Sequence, residues 1–146
     1  MIIKFNDDFF VQWDEVFSLS EGLSLGVFNF WVNDKCYPAK GINITLNVLF
    51  NDLICNISEI KNLKKDLGNT PIEEIDFLSC EDNRLVWCDT GELYKYGLKL
   101  VIGFNKDVER VLYSFDYEKS YNEIVLPKGT FLKTLEALKN AVLLKE

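Results

Sequence analysis

Histidine is absent from this chain of 146 residues, and its absence excludes several kinds of active site. A Ser-His-Asp triad, a Cys-His dyad and a histidine general base all require an imidazole. The four cysteines form no C-x-x-C pair, so the usual zinc-ligand spacings are missing as well. A regular calcium loop and a glycine-rich phosphate loop are also missing. We therefore expect no catalytic residue, no bound metal and no cofactor.

Long apolar runs and basic residues are scarce too. The chain has no run of ~18 apolar residues, and its start, MIIKFNDDFF, does not resemble a signal peptide. We therefore expect no membrane contact and a cytoplasmic location, where the cysteines should be free and mostly buried thiols. Sixteen Lys and Arg against 23 Asp and Glu give a net charge of −7. This charge opposes direct nucleic-acid binding and favours a basic partner.

Apolar residues are plentiful by contrast, at 48% of the chain, and 14% of the residues are aromatic. This composition is typical of a folded globule. Because no repeat, low-complexity tract or linker divides the chain, we expect one domain over residues 1–146.

The stretch GVFNFWVNDKCYP, residues 26–38, predicts a β-hairpin. Phenylalanine and valine alternate onto one face of the first strand, while the other face carries Asn29 and Trp31. Asn33 and Asp34 suit a two-residue turn because both residue types tolerate positive φ. Residues 9–19 alternate in the same way and predict a neighbouring antiparallel strand.

Two longer patterns predict helices. Up to Leu67, leucine and isoleucine recur at steps of three and four, and Gly68 follows as a stop signal. The front of this segment also alternates like a strand, so the helix begins either near residue 45 or near residue 51. A second apolar stripe predicts a helix over residues 130–144. Strands are predicted at 84–88, 98–104, 109–117 and 121–126, which makes the fold class α+β, with the two helices packed on a mostly antiparallel sheet.

Acidic residues concentrate in one segment, residues 73–92, which we call the acidic segment. It contains seven carboxylates and one arginine, Arg84, for a local net charge of −6. One interpretation is a solvated loop. The other is a surface that steers a basic protein partner, with Trp87 and Tyr94 as aromatic anchors. The candidate contact residues are Glu73, Glu74, Asp76, Glu81, Asp82, Trp87, Asp89, Glu92 and Tyr94.

The run GVFNFWVNDKCYP, followed by ITLNVLFNDL, resembles immunity proteins of bacterial polymorphic toxin and contact-dependent growth inhibition systems. It is most similar to the immunity protein 42 family, in which a strand of the form G-x-F-x-F-W-V precedes a turn and a T-L segment. The likeness is carried by Gly26, Phe28, Phe30, Trp31, Val32, Thr45 and Leu46. The late run LPKGTFLKTLEAL is similar to the closing segment of that family.

The resemblance implies that the protein binds and neutralises a cognate toxin domain by occlusion and is not an enzyme. A nuclease toxin would suit an acidic inhibitor, because its basic cleft is built for phosphates. One alternative is a non-enzymatic assembly or adaptor module that forms a homo-oligomer. Another is an enzyme that works with carboxylates such as Asp14, Glu15 and Glu92.

Overall fold

The computed structural model describes residues 1–19, 22–39 and 42–143 and shows two antiparallel sheets with two main helices. The first sheet has the order β1-β2-β3-β4, and β5 pairs with β3. Its strands are β1 (Ile2–Asn6), β2 (Phe9–Ser18), β3 (Ser24–Val32), β4 (Lys35–Tyr37) and β5 (Ile44–Thr45). The second sheet consists of β6 (Val86–Cys88), β7 (Lys99–Asn105), β8 (Val108–Ser114) and β9 (Asn122–Pro127) in that order. The helices are α1 (Leu46–Lys61) and α2 (Thr130–Leu143).

The α+β class is confirmed, but the strands form two sheets where the sequence pattern suggested one. Residues 46–85, which include α1 and a long polar stretch, separate the two groups of strands along the chain. Among the described residues, no helix is long and apolar enough to cross a membrane. Residue 144, the predicted last residue of the second helix, lies outside the described residues.

One core lies between the sheets and the helices. Alternate aromatic and aliphatic side chains of β2 and β3 lie on the face of the first sheet that lines this core. On that face, Trp13 is only 2% exposed. The ring of Phe131 at the start of α2 lies 5.7 Å from that of Phe9. Leu100 and Val111 of the second sheet complete the same cluster. Both helices therefore pack into one apolar core to which both sheets contribute side chains.

A second, smaller cluster covers the outer face of the second sheet. Leu67, Ile75 and Leu85 pack there against Val101 and Leu112. This explains why α1 ends at Lys61, six residues before the predicted end. The side chain that continued the helical pattern, Leu67, is buried against the sheet instead of extending the helix, because tertiary packing overrides a weak local preference.

The predicted hairpin is confirmed. Asn33 and Asp34 have φ of 48° and 67°, as a turn with two left-handed residues requires. Trp31 is half-buried, stacks on Phe10 and donates its indole N–H to Gln12 Oε1 at 2.9 Å. Asn29, on the same outer face, is buried and accepts the backbone N–H of Ala39. These contacts hold Trp31 and Asn29 in place on the outer face of the hairpin.

The cysteines are free, but the expectation that most of them are buried was wrong. Only Cys88 is buried, Cys36 is intermediate, and Cys55 and Cys80 are exposed. Cys88 faces the main core from β6, whereas Cys55 is on the solvent side of α1. The side of the element on which each cysteine lies decides its burial.

Candidate functional site

The acidic segment runs along the outer side of the second sheet and then turns toward α1. It begins within a 3₁₀ helix, Ile72–Glu74, and Ile72 of this helix packs against the second cluster. Four carboxylates in the first part of the segment are exposed: Glu73, Glu74, Asp76 and Glu81. Asp89, near the other end of the segment, is exposed as well.

Asp82 belongs to the segment but not to its free surface. Arg84 donates Nε–H to Oδ1 at 2.9 Å and Nη2–H to Oδ2 at 2.7 Å, and it also bonds the Thr70 hydroxyl. The hydrogen bonds from Arg84 hold the pKa of Asp82 below its usual range. This bidentate pair fixes the loop and cancels one of the segment's charges.

Trp87 supports the surface from beneath. It lies half-buried on the outer face of β6 and donates its indole N–H to the carbonyl of Phe77 at 3.3 Å. The ring of Phe77 in turn stacks on Tyr121, with ring centroids 3.7 Å apart. Trp87, predicted as an anchor, therefore positions the chain between the exposed Asp76 and Glu81.

Asp89 and Glu92 lie at the other end of the segment, where they fasten it to α1. The backbone N–H of Asp89 donates to Asn56 Oδ1 at 3.2 Å, and Glu92 Oε2 accepts the N–H of Thr45 at 2.5 Å. Burial and these two neighbouring charges raise the pKa of Asp52. Within residues 1–19, 22–39 and 42–143, no three acidic or cysteine side chains are grouped to hold a metal ion. In the structure, Glu92 therefore provides a hydrogen-bond acceptor for the backbone N–H of Thr45, the residue that precedes α1.

Tyr94 lies on a second 3₁₀ helix, Gly91–Tyr96, and joins a group that we call the tyrosine patch: Tyr94, Tyr96, Tyr117 and Glu118. The exposed fractions of Tyr94 and Tyr117 are 43% and 54%. Their ring centroids lie 6.4 Å apart, edge to face. Tyr94 donates its hydroxyl to Glu118 Oε2 at 3.1 Å, and Tyr117 donates to the carbonyl of Lys95 at 2.6 Å. Two segments distant in sequence are thus tied together at this surface.

The loop that contributes Tyr117 and Glu118 spans residues 115–121. The carboxylate of Asp116 accepts from the Ser114 hydroxyl at 2.8 Å and from the backbone N–H and hydroxyl of Ser120 at 2.9 and 2.5 Å. These bonds lower the pKa of Asp116 to about 2. Tyr117 and Glu118 both have left-handed backbone angles, with φ of 61° and 66°. The predicted strand 109–117 therefore ends at Ser114, because the next residues form this turn.

A groove of about 320 Å³ joins the tyrosine patch to the acidic segment. Its lining includes Ile72, Asp76, Leu78, Glu118, Lys119 and Tyr121. Leu78 is 82% exposed at its edge. The exposed carboxylates and the exposed tyrosines consequently belong to one continuous surface.

Of the tyrosine patch, Tyr94 is among the candidate contact residues predicted from the sequence, whereas Tyr96, Tyr117 and Glu118 are not. The available signal was the run FDYEKSY, residues 115–121, which combines three aromatic residues with charges at the end of a strand. The predicted strands 109–117 and 121–126 divide this run between them and leave residues 118–120 in the connection. The contact between Tyr94 and Glu118 spans 24 residues, so no local pattern could reveal it.

Comparison with known proteins identifies relatives of the chain. The family model described as Immunity protein 42 matches residues 1–141. The fold is similar to the crystal structure of CdiI from Burkholderia dolosa AUO158, with a TM-score of 0.61 and 15% sequence identity over 91% of this chain and 94% of that chain. At this identity the structural similarity concerns the fold. No curated protein matches the sequence.

Proposed function

The chain belongs to the immunity protein 42 family, and from this premise we propose that it neutralises its toxin by covering a basic face of the toxin domain. Membership makes the chain a toxin-neutralising immunity protein. The proposal adds the manner of neutralisation, which is occlusion without catalysis, and the place, which is the cytoplasm of the producing bacterium.

The exposed carboxylates of the acidic segment support an acidic contact face. Glu73, Glu74, Asp76 and Glu81 lie in solvent, and none of them forms an ion pair within the part of the chain that the structure describes. Unpaired surface charges of one sign raise the association rate with a partner of opposite sign. A toxin that acts on nucleic acid presents such a basic face, since it must replace the counterions of phosphates.

Growth rescue tests this function directly. The cognate toxin domain, which we expect to be encoded immediately upstream of this gene, is expressed in bacteria with and without the protein, and survivors are counted. We expect full rescue by the unchanged protein. The charge-reversed pair Glu73→Lys with Glu74→Lys should rescue less well, because it places positive charge on the proposed contact face.

The matched control reverses Asp7 and Asp8, two exposed acids in the turn between β1 and β2. Both double variants change the net charge by the same amount. A difference in rescue between them therefore reflects the position of the reversed charges and not the total charge. Rescue by both variants at the wild-type level would move the contact away from the acidic segment. If the unchanged protein did not rescue growth, this toxin domain would not be its partner. That result would favour the homo-oligomeric assembly module.

A further inference from the structure

We propose that the centre of the toxin contact is the tyrosine patch, where an arginine of the toxin lies against the rings of Tyr94 and Tyr117 and binds the carboxylate of Glu118. This inference rests on the proposed function. It goes further by locating the main binding energy outside the acidic segment and by naming the side chain that the toxin presents.

The exposure of these tyrosines is the first observation. The core aromatic residues Phe9, Phe28 and Phe30 are fully buried, whereas Tyr94 and Tyr117 keep about half of their surface in water. Core packing therefore does not require rings at these two positions. Tyrosine is enriched among the few residues that dominate binding at protein interfaces, because it buries a large ring and still offers a hydroxyl.

The second observation is that the loop is already held in one conformation. Tyr117 and Glu118 have consecutive left-handed backbone angles, which non-glycine residues rarely adopt. The Asp116 carboxylate, with three hydrogen bonds from Ser114 and Ser120, holds this turn. Such conformations cluster at binding sites, and a surface ordered in advance loses less entropy when it binds.

The third observation is the chemistry of Glu118. Its two carboxylate oxygens accept one hydroxyl each, from Tyr94 at 3.1 Å and from Tyr121 at 2.8 Å. A carboxylate has about four acceptor positions, so it can still accept two N–H groups from a guanidinium. The tyrosine faces also attract cations: Lys99 Nζ lies 5.9 Å from the centroid of Tyr94, so the proposed arginine takes the ring surface of Tyr94 and Tyr117 that Lys99 leaves open.

The surroundings favour a basic occupant as well. The groove beside Glu118 contains Lys119 as well as Asp76, and the exposed carboxylates of the acidic segment continue from it, so acidic side chains outnumber the lysine along the groove and the segment. The whole chain has a net charge of −7. An arginine is therefore attracted from a distance by the acidic segment and bound at short range by the tyrosine patch.

The test measures the affinity of the upstream-encoded toxin domain for four variants. Tyr94→Ala and Glu118→Gln should each weaken binding about 10-fold to 100-fold, mainly through faster dissociation. Tyr94→Phe keeps the ring and should retain most of the affinity. Phe5→Ala is the control, since Phe5 on β1 is 54% exposed, as is Tyr117. Circular dichroism verifies that each variant is folded.

The possible results separate this inference from the proposed function. If the unchanged protein rescues growth and binds the toxin, but Tyr94→Ala and Glu118→Gln bind within about twofold of it, the patch is not the centre and the inference fails alone. Equal losses for Phe5→Ala and Tyr94→Ala would contradict it too. If the unchanged protein neither rescues growth nor binds, both proposals fail together.

Discussion

Glu109 is the residue whose environment is least expected from its type. It is 1% exposed on the inner face of β8, and its carboxylate accepts the backbone N–H of Phe131 at 3.2 Å. Burial raises its pKa, while hydrogen bonds from the first residues of α2 partly oppose the rise. The carboxylate therefore supplies the acceptor that the start of α2 lacks in its own sequence.

The raised pKa of Glu109 predicts a pH dependence of stability. The folded protein binds this proton more tightly than the unfolded chain does, so the contribution is fully present below about pH 4.5, the ordinary value, and is lost as the pH rises through the folded pKa. Glu109→Gln keeps the shape and removes the titration. We expect the free energy of unfolding of this variant, relative to wild type, to increase from pH 5 to pH 8 in urea titrations.

Glu74→Gln is the control for this prediction, because it makes the same substitution at an exposed position outside the core. We expect its stability relative to wild type to change less than that of Glu109→Gln over the same range. The relative stability of Glu109→Gln could instead decrease as the pH rises. That result would mean that the hydrogen bonds from the start of α2 stabilise the charged carboxylate more than burial destabilises it.

At the scale of elements, Arg110 links β8 to the chain that covers the second sheet. It is almost fully buried, pairs with Glu123 at 2.6 Å and donates Nη1–H to the carbonyls of Gly68 and Thr70. One side chain thus satisfies two carbonyls of the stretch that leads into the acidic segment. The position of that segment consequently depends on the second sheet.

Arg110→Met should lower the free energy of unfolding by about 3 kcal/mol, because it leaves a partly buried carboxylate and two carbonyls without their donor. Amide hydrogen exchange should accelerate first in residues 67–75, before the main core opens. Glu123→Gln is the matched control and should cost less, since Arg110 keeps its carbonyl partners. Uniform acceleration across the chain would show that the acidic segment is not a separately held element.

The elements that the sequence predicted well are those with local causes. The hairpin at Asn33-Asp34 follows from alternation and from two residues that accept positive φ. The end of α1 was wrong because Leu67 satisfied the helical period while its burial comes from the second sheet. Of the tyrosine patch the sequence predicted Tyr94 alone, since Glu118 meets Tyr94 only through tertiary structure. Composition indicated the acidic part of the candidate surface, whereas the grouping of its tyrosines depends on the fold.

For the molecule as a whole, the exposed charges and the tyrosine patch act on the toxin over different distances. The net charge of −7 and the exposed carboxylates act at long range, over roughly a Debye length of ~8–10 Å at physiological salt. The tyrosine patch acts only at contact, because ring faces and hydrogen bonds need close approach. The acidic segment should therefore determine the association rate with the toxin, and the tyrosine patch should determine the dissociation rate.

Salt dependence separates these two contributions. Raising the NaCl concentration from about 50 to about 500 mM should slow association with the toxin roughly tenfold or more, while the dissociation rate changes little. Stopped-flow fluorescence measures both rates. Glu73→Lys with Glu74→Lys should flatten the salt slope of association, and Tyr94→Ala should leave that slope intact while it speeds dissociation. A salt effect confined to dissociation would contradict long-range steering and would instead place the ionic contacts inside the bound interface.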